Sequence, residues 1–327
     1  MQTVKRLSKQ SLFLVVMASM IVLSGCKGKK ASSNGKLEGT ISISGAFALY
    51  PLAVKWADEF KKIHPDVKID ISAGGAGKGI TDVLSGMVDL GMVSRGINEA
   101  ETAKGAWPIA VAKDAVLPTI NDKNPLLADL QQKGMTKDNL TQIFVTGKIT
   151  SWYTSLQKVD TKAAGKINVY IRSDACGAGE MWGKYLGKNQ EALNGVGVFG
   201  DPGVSDAVKK DPLGIGYNNV IYVYDIKTRK CFPGISVIPI DVNANGKIDK
   251  EENFYNTLDE LMAAIRDGRY PSPPARDLYF VSKGKPTSEV AIAFLNWVLT
   301  DGQKFVNESG YVQLADEKII IETLKLK

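Results

Sequence analysis

The stretch Ile41 to Arg95, ISISGAFALYPLAVKWADEFKKIHPDVKIDISAGGAGKGITDVLSGMVDLGMVSR, decides the fold. It reads as strand, loop, helix, strand, loop, helix, strand. Ile41 and Ile43 open a short apolar run that ends at Ser44-Gly45-Ala46-Phe47-Ala48. Pro51 stands at a helix start, where its missing N–H costs nothing. Leu52, Trp56, Phe60 and Ile63 then recur at the spacing of one buried helical face. His64-Pro65-Asp66 stops this helix, and Val67, Ile69 and Ile71 alternate as a strand. The strand runs into Gly74-Gly75-Ala76-Gly77-Lys78-Gly79. A second helix is expected from Ile80 to about Met87, and Asp89 to Val93 is the third strand, with Ser94-Arg95 at its carboxyl end.

In an open parallel sheet, loops at the carboxyl ends of strands line the ligand crevice. Both loops here lead into helix amino termini, where free N–H groups and the helix dipole attract anions. Glycines admit a small ligand to the backbone. Ordinary strand-to-helix turns would share this pattern. Nucleotide motifs fit poorly: a GxxxxGK[ST] loop needs a glycine where Ser72 stands and a hydroxyl where Gly79 stands, and GxGxxG from Gly75 meets Ile80 at its last place. Lys78 faces either a ligand or solvent.

With 327 residues and 44% hydrophobic composition, the chain buries one large core or two smaller ones, and two lobes is the expectation. The formal charge of +6 falls to about +3 once Lys5, Arg6 and Lys9 are removed with a leader, which is no nucleic-acid signature. Those three residues form a positive n-region. Leu12 to Leu23 is an apolar core too short for a comfortable membrane span, and Leu23-Ser24-Gly25-Cys26 follows. This resembles a bacterial lipobox. The resemblance implies cleavage of a signal peptide 1–25, lipid attachment at Cys26 and a protein held by acyl chains in the bacterial cell envelope, facing the periplasm or exterior. Residues 26–39, rich in Lys, Ser, Gly and Asn, form a flexible tether.

Further along, Trp107 to Ile120 is an extended run suited to a strand that leaves one lobe and enters another. A short helix and turn cover Leu140 to Trp152. Ile167 to Ile171 is a strand that delivers Arg172-Ser173-Asp174-Ala175-Cys176-Gly177-Ala178 to a helix bearing Met181, Trp182, Tyr185 and Leu186, the two aromatics and the methionine being core. An arginine at a strand end beside small residues at a helix start is a second anion half-site. Leu213 to Val220 and Ile221 to Tyr224 read as strands around a tight turn. After Tyr270-Pro271-Ser272-Pro273-Pro274, Arg276 to Ser282 is a return strand, and helices are expected near Ser288 to Leu299 and Gln303 to Ser309.

Taken in order, Ser44-Gly45-Ala46-Phe47 with Pro51, the glycine run Gly74 to Gly79, Val88 to Met92 with Ser94-Arg95, Gly147 to Trp152, Arg172-x-Asp174, Ile215-Gly216-Tyr217 and Gly310-Tyr311-Val312 resemble the phosphate-binding proteins of bacterial phosphate ABC transporters. The resemblance implies a type II periplasmic-binding-protein fold, α/β, with two lobes joined by crossing strands. Lobe 1 would comprise 40–112 and 275–327, and lobe 2 would comprise 113–274. It implies a monomer that closes over phosphate or a similar oxyanion and presents it to a membrane permease, and no enzyme. It places the ligand against Ala46, Phe47, Ala48, Ala76, Gly77, Lys78, Ser94, Arg95, Arg172, Asp174, Cys176, Gly177 and Ala178. Arg95 and Arg172 would converge on the anion from opposite lobes. Where that family carries hydroxyl donors and an acidic acceptor, this chain has Ala46, Ala76, Cys176, Ala178 and Arg95, which points to a retuned oxyanion or an organic phosphate. An adhesive or sensory lipoprotein using the same fold is the alternative.

Asp241 to Glu252 fits the twelve-position EF-hand loop. Asp241, Asn243 and Asn245 stand at positions 1, 3 and 5, Gly246 makes the turn, Lys247 offers its carbonyl, Asp249 is at 9 and Glu252 closes. A strand before it, Ile235 to Ile240, and a helix after it, Asn256 to Ile265, suggest structural Ca2+. Cys176 at a helix start is the one candidate nucleophile, but His64, the sole histidine, reads as a helix end. Whether Cys176 and Cys231 pair is open.

Overall fold

The computed structural model describes residues 36–156 and 165–327. The expected signal peptide, Cys26 and most of the tether lie outside the described residues. The chain begins with β1 (Gly39–Gly45), α1 (Tyr50–Ile63), β2 (Val67–Ala73), α2 (Ala76–Ser85) and β3 (Leu90–Val93). This is the alternation read from the sequence. β1 pairs in parallel with β2 over its whole length and with β3 at Ile43, Ser44 and Gly45. α1 starts at a Pro in its first turn and buries Leu52, Trp56 and Phe60. Ile63, expected on that face, is 57% exposed because the helix ends there.

α2 starts at Ala76, four residues before the expected Ile80. The glycine run is therefore its first turn and not a loop. Gly75 takes φ +89°, which turns the chain without a side-chain penalty. Gly79 packs where a Cβ would come within 2.9 Å of the Gly45 Cα and 3.0 Å of the Ser44 carbonyl oxygen, so a helix that would disfavour glycine keeps it for close approach to β1.

After α3 (Glu99–Ala103) comes β4 (Ala106–Asn121), the longest strand among those described. Its Ala106–Ala115 part pairs antiparallel with β9 (Ala275–Lys283), and Val116 to Ile120 pair with β7 (Gly214–Asn219). Between them run α4 (Leu127–Lys133), α5 (Lys137–Phe144), α6 (Trp152–Ser155), β5 (Asn168–Arg172), α7 (Gly177–Tyr185), β6 (Val196–Val198), α8 (Gly200–Lys210), β8 (Ile235–Val237) and α9 (Leu258–Asp267). Helices α10 (Glu289–Leu299), α11 (Lys304–Glu308) and α12 (Asp316–Leu324) end the chain. The described strands form a mixed sheet in the order β2-β1-β3-β9-β4-β7-β5-β6, with β8 on β4. β4 and β9 thus carry the chain between an amino half-sheet and a second half-sheet.

Each half has its own aromatic cluster. Trp56, Phe60, Phe280 and Phe294 pack together beside β9, and the Trp56 indole donates to the Gly302 carbonyl at 2.8 Å. Phe144, Trp182 and Tyr217 do the same beside β7. Each such burial stabilises the fold by about 1.5–3 kcal/mol.

Of the expected strands, Ile221 to Tyr224 does not form one and Ile235 to Ile240 is shorter. Val220 to Tyr222 is a 3-10 turn, and Tyr224 makes only a bridge to Cys231, because the Val223 and Tyr224 amides both turn back to the Val220 carbonyl. β8 stops at Val237, before Pro239, which has no N–H to donate to the ladder.

Candidate functional site

Three helix amino termini meet between the half-sheets. Gly45 ends β1, and its carbonyl accepts from the amides of Gly74 and Gly75 at 2.9 and 3.1 Å, placing the starts of α1 and α2 side by side. The Gly77 amide donates to the Ala175 carbonyl at 3.1 Å, which brings in the start of α7. α1 and α2 have no side-chain cap. In α1 these amides are already engaged: Pro51 has no N–H, Tyr50 donates to the Ala46 carbonyl at 3.2 Å and Leu52 to the Tyr311 hydroxyl, whereas in α2 only Gly77 is taken and the Ala76 and Lys78 amides have no intrahelical acceptor. Ala46, Ala48, Ala76 and Ala178 are almost fully buried here, as is Ser94. A Cβ on Gly177 would lie 2.7 Å from the Ser94 carbonyl carbon, so the two halves touch at this point.

Arg172 lies at the centre, at the end of β5. Its Nε donates to Asp174 Oδ1 at 2.8 Å, its Nη2 to Asp174 Oδ2 and its Nη1 to Asp201 Oδ2. Burial disfavours the guanidinium charge, but the two carboxylates outweigh it and hold the pKa above the ordinary value. The same interaction holds Asp174 low against its own burial. The Phe47 ring faces the guanidinium at 5.3 Å, and its edge meets Phe199. The Asp174 carboxylate also accepts from the Gly200 amide at 3.1 Å, at the start of α8. Arg172 is thus a compensated cation, with two carboxylates bonded to it.

Of the expected ligand positions, Phe47, Gly77, Ser94, Arg172, Asp174 and Gly177 make contacts at this place. Two others do not offer the expected charge. Lys78 folds over Gly74 and pairs with Asp82, which also accepts from Ser44 Oγ at 2.7 Å. Arg95 is gripped by both oxygens of Glu101 at 2.9 and 2.6 Å and lies 2.9 Å from Glu180 Oε2 on α7. Arg95 and Arg172, expected to converge on one anion, are each paired with two carboxylates of the protein: Arg172 with Asp174 and Asp201, Arg95 with Glu101 and Glu180. At Arg95 the cause is local: Asn98 and Glu101 form a capping box at α3 that sets the Glu101 carboxylate beside Arg95. A cavity of about 280 Å³ opens beside this pairing, lined by Gly77, Arg95, Cys176, Glu180, Lys184 and Gln190 among others.

Sequence reasoning did not find Glu101, Glu180 or Asp201. The Asn98-x-x-Glu101 spacing was readable as a capping box, and Gly200-Asp201-Pro202 as a helix start. No sequence signal pairs Glu180 with Arg95. Cys176 caps α7, its sulfur accepting from the Gly179 amide at 3.2 Å, and burial pushes the thiol up to about 12. It stays protonated, which is not the state of a nucleophile. Cys176 and Cys231 are both free thiols.

The loop 241–252 folds on its own backbone. Asp241 accepts from the Asn245 and Gly246 amides, and Glu252 from those of Val242, Asn243 and Asp249. Asp249 accepts from the side chains of Asn243 and Asn245 and pairs with Lys247. Ala244 and Gly246 take φ +58° and +85°. Among the described residues, no group of three or more His, Cys, Asp or Glu is arranged to hold a metal ion, so the loop has the donor types for a hard cation but not yet a gathered set.

The chain is similar to two proteins named phosphate-binding protein PstS. That of Methanocaldococcus jannaschii is 28% identical over 96% of this chain and 93% of the relative, and that of Bacillus subtilis is 27% identical over 95% and 96%. Among solved structures, a Clostridium perfringens protein described as a phosphate ABC transporter substrate-binding protein with bound phosphate superposes with a TM-score of 0.68 at 23% identity. The match covers 85% of this chain and 100% of that one. The mixed α/β sheet is accordingly that of type II periplasmic binding proteins. With the model of the PBP superfamily domain matching residues 30–302, the chain belongs to the PBP superfamily.

Proposed function

We propose that the chain is the extracytoplasmic solute-binding component of an ABC transporter. It captures phosphate or a related oxyanion between lobe 1 (40–112 and 275–327) and lobe 2 (113–274) and presents it to a membrane permease. One observation carries this reading: the starts of α1, α2 and α7 meet beside Arg172, with the Ala76 and Lys78 amides of α2 in their first turn. The relatives' names support phosphate, whereas the geometry itself specifies only a small anion.

The donors are mainly backbone amides, since Ala46, Ala76, Cys176 and Ala178 stand where hydroxyls would add bonds. Each hydrogen bond to a charged group contributes about 1.5–3 kcal/mol, and two carboxylates already compensate Arg172. Bare phosphate is therefore expected to bind more weakly than at a hydroxyl-lined site, and the site is retuned toward another oxyanion or an organic phosphate. Calorimetric titration with phosphate, sulfate and a phosphate monoester tests the proposal. Binding of at least one is expected, and binding of none overturns it.

Lipid attachment at Cys26 is part of the same proposal and rests on the leader sequence; no described helix is long and apolar enough to cross a membrane. Mass spectrometry of the mature amino terminus tests it. Ca2+ in the loop 241–252 is proposed on the donor order and on the left-handed Ala244 and Gly246. Asp241, Asn243, Asn245, Asp249 and Glu252 would hold the ion with the Lys247 carbonyl. Bound Ca2+ would neutralise those carboxylates and tie the loop to α9.

A further inference from the structure

The bonds of Arg172 continue past Asp201. Asp201 Oδ1 accepts from Asn219 Nδ2 at 2.7 Å, and Asn219 Oδ1 accepts from Arg276 Nη2. The same nitrogen lies 3.3 Å from Asp114 Oδ2. All five side chains, Arg172, Asp201, Asn219, Arg276 and Asp114, belong to residues more than nine-tenths buried. Asp114 and Arg276 are register partners on β4 and β9, the two strands that run between the half-sheets. Asp201 lies in the first turn of α8 and Asn219 at the end of β7. One polar path therefore joins the strand crossing to the site arginine.

This path is incompletely satisfied at its far end. Arg276 Nε and Nη1 and Asp114 Oδ1 have no hydrogen-bond partner. A buried guanidinium with a long carboxylate contact is held chiefly by Asn219, so a small change in Asp114 is felt along the path, where low local dielectric strengthens each interaction. We propose that Asp114 and Arg276 are positioning residues for anion capture, setting the electrostatic surroundings and orientation of Arg172 through Asn219 and Asp201. The ligand in this statement rests on the proposed oxyanion function; the path itself is a property of the protein alone.

Burial pushes Asp114 up to about 6 against the attraction of Arg276, so it changes charge in an accessible pH range. The groups facing it are Arg276 from β9, Asp201 from α8 and the hydroxyls of Tyr222 and Tyr311. Protonation of Asp114 removes one negative charge from the surroundings of Arg172, which favours an incoming anion.

Two measurements test the proposal. In the ligand-free wild-type protein, the carboxyl 13C shift of Asp114 and the Nε 15N shift of Arg172 are followed by NMR across the acid-to-neutral range. A shared midpoint is expected, and an Arg172 shift that ignores the Asp114 titration overturns the path. In the second, phosphate affinity of the wild type is compared with Asp114→Asn at each pH, so that the ionisation of phosphate itself cancels. The wild type is expected to bind several-fold more weakly than the variant at neutral pH and equally at about pH 5. A ratio independent of pH overturns the proposal. Coincident NMR midpoints with no phosphate binding would leave the path standing and remove the phosphate reading instead.

Discussion

Arg95 Nε lies 2.9 Å from Glu180 Oε2, joining the loop after β3 to α7 across the boundary between the half-sheets. Arg95 also holds Glu101, so one guanidinium serves two carboxylates of opposite character. Burial keeps the pKa of Glu180 above the ordinary value despite Arg95, whereas hydrogen bonds from Arg95 and Asn98 hold Glu101 low against its own burial.

The two sides of this clasp should therefore respond differently to substitution. Arg95→Gln leaves the half-buried Glu101 without its counter-ion and its two charged hydrogen bonds and is expected to destabilise by about 1.5 kcal/mol. Glu180→Gln should change stability far less. A carboxylate with a raised folded-state pKa stabilises at low pH, and that contribution is lost as pH rises through the folded pKa. The advantage of Glu180→Gln over wild type should thus appear on the alkaline side and vanish in acid. Urea denaturation at several pH values measures both, and a larger loss for Glu180→Gln would contradict the assignment.

Gly177→Ala should hold the halves apart, since the new Cβ would overlap Ser94. The expected result is anion affinity reduced by about tenfold or more, equal to about 1.4 kcal/mol, with little loss of melting temperature. Small-angle scattering should show a larger radius of gyration. Unchanged affinity would mean that closure at Ser94 is not part of capture.

The site should discriminate poorly between tetrahedral anions, because backbone N–H groups donate to either and its described carboxylates, Asp174 and Asp201, are already bonded to Arg172. Calorimetry at neutral pH is expected to give phosphate and sulfate affinities within about tenfold of one another, a difference of about 1.4 kcal/mol. Submicromolar phosphate binding with strong rejection of sulfate would refute retuning and favour ordinary phosphate capture.

Ca2+ at about 100 times its dissociation constant should stabilise the chain by about 2.7 kcal/mol. Glu252→Gln should abolish that gain, and because Glu252 also accepts from the Val242, Asn243 and Asp249 amides, the gain is read as the difference between melting temperatures with and without Ca2+ for each protein. Chelation that altered neither melting temperature nor metal stoichiometry would remove the metal from the account.

Local spacing determined much of this protein. The alternation of Ile41 and Ile43, the face of Leu52, Trp56 and Phe60, and the arginine at the end of β5 are set within a few residues of one another, and the fold keeps them. The start of α2 at Ala76 is not legible in the sequence because Gly77 and Gly79 oppose a helix by propensity; close packing of Gly79 on Gly45 overrides that preference.

Tertiary structure alone decided the electrostatics of the site. Positive charge at positions 95 and 172 is written in the sequence, but its availability depends on which carboxylates the fold brings within hydrogen-bond range. Glu180 reaches Arg95 from α7, Asp201 reaches Arg172 from α8, and Asp114 meets Arg276 only because β4 and β9 pair. Sequence spacing reports neighbours along a helix or strand, whereas compensation of a buried charge is a property of distances between elements far apart in the chain.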